Sequence, residues 1–198
     1  MYKIISKPMG TFQTNCYIVF LPKGEIIIDP GVDAVKWVES NVITPAAILN
    51  THGHFDHVWS NHKLQEHFKI PLYTPKKDVF MLQNDAFGYG MDPSAPDVEV
   101  DGDQKFEIGG GVVEFLHFPG HTPGCSIIRI ANVIFSGDFI FKNSIGRTDF
   151  AYGSPEDMKK SILKFLKFKE NLKIYPGHGE STSVKAEQKN LPYWFKYI

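Results

Sequence analysis

Thr51-His52-Gly53-His54-Phe55-Asp56-His57 places three imidazoles and a carboxylate within six residues, directly after an apolar run that ends at Asn50. Residues two apart in an extended segment point the same way, so His52 and His54 are set to grip one ion together. Asp56 and His57 fall where the chain should turn into a helix, aimed at a second ion beside the first. Imidazole and carboxylate in such a set suit zinc and similar borderline cations. With eight His among 198 residues, the pattern arises by accident on the order of once in a thousand chains.

Outward from this stretch, apolar strands repeatedly deliver a His or Asp at a glycine-flanked turn. Residues 2–6, 15–20 and 25–28 read as strands, the last running into Asp29-Pro30-Gly31. Asp29 is open to two readings, a partner for a metal ligand or ordinary turn chemistry. A short helix over 33–41 leads to the strand 46–49 that feeds the His cluster, and a helix follows over 58–68. His62 and His67 lie on that helix outside the ligand pattern and read as solvated or packed. A strand at 70–73 and a helix over 76–83 come next. Periodicity then fails from Asn84 to Asp103, a long loop in which Phe87, Tyr89 and Met91 would suit a lid.

The hairpin 106–118, turning at Gly109-Gly110-Gly111, delivers Pro119-Gly120-His121-Thr122-Pro123-Gly124. Strands over 126–131 and 133–135 end at Ser136-Gly137-Asp138. Ser154 caps a helix with Pro155 in its first turn and Asp157 three residues after the cap. A strand at 172–175 delivers Pro176-Gly177-His178-Gly179, and a last helix lies near 184–190. Strands that both precede and follow helices suit two sheets covered by helices, an αββα sandwich of the α/β class. The chain length fits one domain over 1–198.

Bulk properties exclude several functions. A formal net charge of −1 gives no electrostatic case for nucleic acid or an anionic membrane. Two cysteines, Cys16 and Cys125, are too few for a disulfide framework, and reduced thiols in a cytosol are the simpler reading. The start MYKIISKPMGTF lacks the apolar core of a signal peptide, and no run approaches the ~18 apolar residues of a membrane span. A cytoplasmic protein is expected.

The candidate ligands are His52, His54, Asp56, His57, His121, Asp138 and His178. Seven groups are too many for one tetrahedral ion and suit two if one carboxylate bridges, for which Asp138, alone on a strand end, is the natural choice. Asp56 and Asp138 are the expected catalytic carboxylates. His117 is read as a neighbour of His121 and not a ligand. Two ions roughly 3.5–4 Å apart share a water and bring its pKa toward ~7, and hydrolysis of a carbonyl compound is the expected chemistry. Zinc is the first expectation, with iron or manganese also suited to these ligands.

The motifs HxHxDH, PGHT, SGD and PGHG, in this order, resemble the metallo-β-lactamase superfamily. The resemblance implies the αββα sandwich, with His52, His54 and His121 on one metal, Asp56, His57 and His178 on the second, and Asp138 between them. His54 differs from the Glu of flavo-diiron proteins, Asp138 from the pattern of lactamases proper, and no RNA-gripping arm of the tRNA-processing nucleases is evident. What remains is similar to glyoxalase II, the hydroxyacylglutathione hydrolases, and closer to their short, single-domain bacterial relatives in GDFIFKNSIGRTDF and SPEDM. This implies a small-molecule thioester substrate, S-lactoylglutathione, hydrolysed to lactate and glutathione. Lys142 and Arg147 are the candidate substrate contacts. Arg147 falls where glyoxalase II has a lysine for a glutathione carboxylate, and an ion pair with Asp149 is the alternative. The chain ends twenty residues after His178, and no counterpart of the C-terminal helical domain that grips glutathione in full-length glyoxalase II is expected. A second implied activity is that of the iron-dependent glutathione persulfide dioxygenases, which share GRTDF. For these His52, His121 and Asp138 would form a two-His-one-carboxylate triad, but Ala151 stands where their Gln is expected.

Overall fold

The computed structural model describes residues 2–198. Three consecutive isoleucines, Ile26, Ile27 and Ile28, are all fully buried, because the strand that carries them is covered on both faces. Successive strand side chains point to opposite sides. Ile26 and Ile28 therefore enter the core between two sheets, with Val19, Leu49, Phe115 and Phe135. Ile27 packs outward with Ile48, Val38 and Leu64 beneath helices. Each such side chain contributes roughly 1.5–3 kcal/mol by leaving water.

The first sheet runs in chain order: β1 (Lys3–Met9), β2 (Thr14–Leu21), β3 (Gly24–Ile28), β4 (Pro45–Leu49), β5 (Leu72–Pro75) and β6 (Val98–Val100). Its first three strands are antiparallel, and from β3 onward neighbours are parallel. Helices α1 (Val35–Glu39), α2 (Phe55–Val58), α3 (Asn61–Phe68) and α4 (Val79–Gln83) belong to this half of the chain. The other half contributes β7 (Gln104–Ile108), β8 (Gly111–His117), β9 (Ser126–Ile130) and β10 (Val133–Gly137). A two-stranded hairpin, β11 (Ile140–Phe141) and β12 (Ser144–Ile145), precedes α5 (Pro155–Phe165), β13 (Lys173–Pro176), β14 (Thr182–Ser183) and α6 (Val184–Trp194). The second sheet has the order β14-β13-β10-β9-β8-β7. Its outer face, with Ile127, Ile134 and Ile174, packs on Met158, Ile162 and Phe165 of α5 and on Val184 and Leu191 of α6. Both sheets are mixed, and the architecture is the αββα sandwich.

The cap of α5 follows its sequence signal, since the Ser154 side chain accepts from the Asp157 backbone N–H at 3.1 Å. Three elements differ from expectation. The helix expected over 58–68 is broken at Trp59-Ser60, where Ser60 donates from its backbone N–H to the Pro30 carbonyl and from its hydroxyl to that of Gly31. The helix expected over 76–83 begins as a 3-10 turn at Lys76–Asp78. Within the expected loop 84–103, Val98–Val100 pairs parallel with β5, three residues being too few to show a period.

The parallel pairs β3–β4 and β10–β13 both point their C-terminal ends at one rim of the sandwich. There the sheets are laced together. Asn15 N–H donates to the Gly177 carbonyl at 2.7 Å, Tyr17 hydroxyl to the Pro176 carbonyl at 2.6 Å, and Ser126 N–H to the Thr51 carbonyl at 2.9 Å.

Candidate metal centre

β4 ends at Leu49, and the turn after it carries His52 and His54 before α2 brings in Asp56 and His57. The loop between β8 and β9 supplies His121, the end of β10 supplies Asp138, and the turn after β13 supplies His178. Ligand atoms of His52, His54 and His121 lie within 4.8 Å of one another, as do those of Asp56, His57 and His178. Asp138 stands between the two triads. Its Oδ2 is 3.5 Å from His121 Nε2 and 3.4 Å from His178 Nε2, and its Oδ1 is 3.2 Å from His57 Nε2. All seven sequence candidates are thus brought together. His117 is apart, its Nε2 bonded to the Pro123 carbonyl at 2.8 Å. His62 and His67 sit on the surface beside Glu66 and Glu39.

Four imidazoles are aimed by what their Nδ1 atoms touch. His57 Nδ1 meets Asp29 Oδ2 at 3.0 Å, His121 Nδ1 the Arg147 carbonyl at 2.8 Å, and His178 Nδ1 the Phe12 carbonyl at 3.0 Å. His52 Nδ1 lies 3.1 Å from the Thr51 hydroxyl oxygen, whose proton goes to Asp29 at 2.6 Å. With Nδ1 as donor, each ring turns the lone pair of Nε2 inward. Asp29 thus fills both of the roles its sequence left open, since it also holds a turn at φ +49°. A second grouping, of Asp29 with His52 and His57, is this supporting contact, because both Asp29 oxygens are already taken by Thr51 and His57.

The fit to metal rests on atoms left without partners. His52 Nε2, His57 Nε2, His121 Nε2 and Asp138 Oδ1 are all buried and accept or donate no hydrogen bond. Buried polar atoms are almost always paired, and four gathered from the two triads and the carboxylate between them fit cations. In the first triad the surroundings favour the same outcome. In the second, against burial, Asp138, Asp56 and Asp29 raise His57 well above its ordinary value and Asp138 and Asp56 raise His178 to about 9, so an ion binding there must displace protons. Burial and the neighbouring imidazoles push His52 well below its ordinary value and His54 down to about 3, leaving both neutral. Burial would raise Asp56, but the His57 charge and hydrogen bonds from His178 and Thr14 hold it at about 2. Neutral imidazole and ionised carboxylate are the forms that bind metal.

Gly177 is required by crowding. A Cβ there would stand 2.1 Å from Asp138 Oδ1 and 2.7 Å from His57 Cε1.

Two supporting residues escaped the sequence reading. Thr14 donates from its hydroxyl to Asp56 Oδ2 at 2.6 Å. Its signal was a polar residue opening an apolar strand. Asp78 is fully buried and joins the two His-bearing turns: it accepts from Gly53 N–H at 2.9 Å, the Thr122 hydroxyl at 2.6 Å and Gly124 N–H at 2.6 Å. Burial pushes it up to about 6 against those three donors. Asp78 falls in the charged first turn of the helix expected over 76–83, so nothing in the sequence marked it.

The triads open onto a cavity of about 300 Å³ whose floor is His54, Asp56, His121, Asp138 and His178. Phe87 and Tyr89, from the expected lid, line it, while Met91 is buried in the core beneath the helices. Arg147 and Lys142 do not line the cavity. Arg147 is exposed, forked onto Asp149 at 2.9 and 2.7 Å, and lies over the Phe150 ring at 4.1 Å. Lys142 is paired with Glu180. Cys16 and Cys125 are both buried and unpaired. No helix among the described residues is long and apolar enough to cross a membrane.

Residues 9–178 match the model of the Metallo-beta-lactamase superfamily. The chain belongs to this superfamily. Within it, the chain is 33% identical to the hydroxyacylglutathione hydrolase GloC of Haemophilus influenzae, over 94% of this chain and 95% of that protein. It is similar to BLEG-1 B3 metallo-beta-lactamase at 32% identity and a TM-score of 0.88, over 96% and 99% of the two chains. A third relative, solved in a di-iron-bound form, is 29% identical with a TM-score of 0.81, over 96% and 99%. The superfamily is mostly hydrolases, and the His and Asp groups of this member are those of a metal-binding enzyme.

Proposed function

We propose that the protein hydrolyses thioesters, with hydroxyacylglutathiones as substrates and S-lactoylglutathione, giving lactate and glutathione, as the reference case. The observation that carries this reading is the pair of triads joined by Asp138 at the floor of one cavity. The likeness to GloC supports the substrate class. His52, His54 and His121 would hold one divalent ion, Asp56, His57 and His178 a second, and Asp138 would touch both; zinc suits these donors first, iron or manganese next. Bound there, the ions supply a water acidic enough to attack at neutral pH and a positive charge for the carbonyl oxygen.

The chain's own residues do the rest. Asp29, Thr51 and the Phe12 and Arg147 carbonyls fix the rings, so little reorganisation is needed on binding. Phe12, Phe55 and Phe87 wall the floor with apolar surface. A glutathione carboxylate reaching Arg147 or Lys142 would have to displace Asp149 or Glu180.

The test is turnover of S-lactoylglutathione by protein of measured metal content, beside Asp138→Asn. Expected are two ions per chain, released glutathione thiol, and a loss of at least about 100-fold in Asp138→Asn. One iron per chain, with oxygen uptake on glutathione persulfide and no thioester turnover, would instead assign the dioxygenase activity. His52, His121 and Asp138 could serve that chemistry alone, but the complete second triad favours the hydrolase.

A further inference from the structure

Among the described residues, the exposed large apolar side chains include Phe12 (53%), Tyr89 (56%) and Phe150 (45%), and all three line this one cavity together with Phe55 and Phe87. Apolar surface left exposed and gathered around a concave polar floor marks a ligand site. The rings form two walls. On one side Phe12 meets Phe55 edge-on at 5.2 Å, and Phe55 lies against Tyr89 at 4.0 Å. On the other, Phe87 and Phe150 stand edge-on to His54 at 5.2 and 6.4 Å. Neither Lys nor Arg is among the lining residues.

A thioester whose carbonyl rests on the floor must place the group attached to that carbonyl between these walls, within reach of Phe87 on one side and Tyr89 on the other. A lactoyl methyl leaves most of those ring faces wet. A phenyl ring covers them, edge to face, the arrangement aromatic pairs prefer. The glutathionyl arm is polar and twice carboxylated, and the cation near this rim, Arg147 over the Phe150 ring, is already held by Asp149, so the arm gains less from the collar than a ring does.

We propose that the collar is an acyl-recognition site for an aromatic ring next to the thioester carbonyl, making aryl-hydroxyacyl thioesters better substrates than lactoyl ones. This rests on the hydrolase reading and names its substrate class. The experiment compares kcat/KM for S-mandeloylglutathione and S-lactoylglutathione in the wild type, Phe87→Ala, Tyr89→Ala and, as a distant control, Tyr197→Ala. The wild type and Tyr197→Ala should prefer the mandeloyl ester by about tenfold or more, the scale of filling an apolar pocket. Phe87→Ala and Tyr89→Ala should bring that ratio toward one. Tyr89 is exposed enough that its truncation leaves the fold intact should Phe87→Ala fail to fold. As a binding readout, mandelate should inhibit at lower concentration than lactate. Brisk lactoyl turnover with a ratio of one or below, or a ratio unmoved in both collar variants, overturns the acyl site and leaves the hydrolase standing. No turnover of either thioester overturns both.

Discussion

Asp78 is the most demanding test of how the centre is held, because it touches no ligand side chain. Asp78→Ala strands two backbone N–H groups and one hydroxyl where water does not reach, at about 1–3 kcal/mol each. Against this, a carboxyl pushed from 3.8 to about 6 by burial carries a charge that costs about 3 kcal/mol more in place than in water. The net loss expected at pH 7.5 is about 3 kcal/mol. Because the folded pKa lies above the unfolded one, the folded protein binds the extra proton, and stability from this group falls as pH rises between about 4 and 6. Asp78→Asn keeps the shape and loses the titration. The wild-type advantage over Asp78→Asn should therefore be about 2.5 kcal/mol larger at pH 4 than at pH 7.5, read by urea unfolding of both proteins. Contributions from the ligands cancel in that difference. Asp78→Ala should also weaken metal binding about 10–100-fold, since Gly53 sits between His52 and His54, and Thr122 follows His121. An advantage that stays constant, or grows, toward neutral pH refutes the reasoning.

Other substitutions probe separate contacts. Gly177→Ala drives a methyl into Asp138 and His57, so bound metal should fall from two ions per chain toward one by elemental analysis. Thr14→Val removes the 2.6 Å bond to Asp56, and about tenfold weaker retention of the second ion is expected in a chelator competition. Asp149→Asn releases Arg147 from its fork, and should lower KM for a glutathione thioester while leaving that of a short uncharged thioester unchanged. Ile27→Ala empties a fully buried site under the helices, at an expected cost of about 2–5 kcal/mol in denaturant unfolding.

Local signals in the chain reported local features well. The clustering of the candidate ligands was legible because covalent spacing alone keeps His52, His54, Asp56 and His57 together, and because glycines flank each remaining candidate. The Ser154 cap and the Ile26–Ile28 strand were equally local. What escaped were contacts made only after folding. Asp78 meets partners 25, 44 and 46 residues away, and Thr14 one 42 away. Strands such as Ile140–Phe141 and Ser144–Ile145 have two residues each, too short for any alternation to register. Arg147 illustrates the reverse case: its sequence context left a substrate contact and an ion pair both open, and the fork onto Asp149 is a matter of rotamer that no pattern encodes.

Each triad is itself divided between the two halves of the sandwich. His52 and His54 come from the first sheet and His121 from the second; Asp56 and His57 come from the first and His178 from the second. An ion held at either place would therefore be a rivet driven through both layers. Neither half carries a complete triad, so the tightest binding is expected only after docking, where it would reward the final step of assembly. Stripping the cations should loosen the seam at this rim before it disturbs either layer, and the loaded protein should owe its longevity to slow parting of the halves.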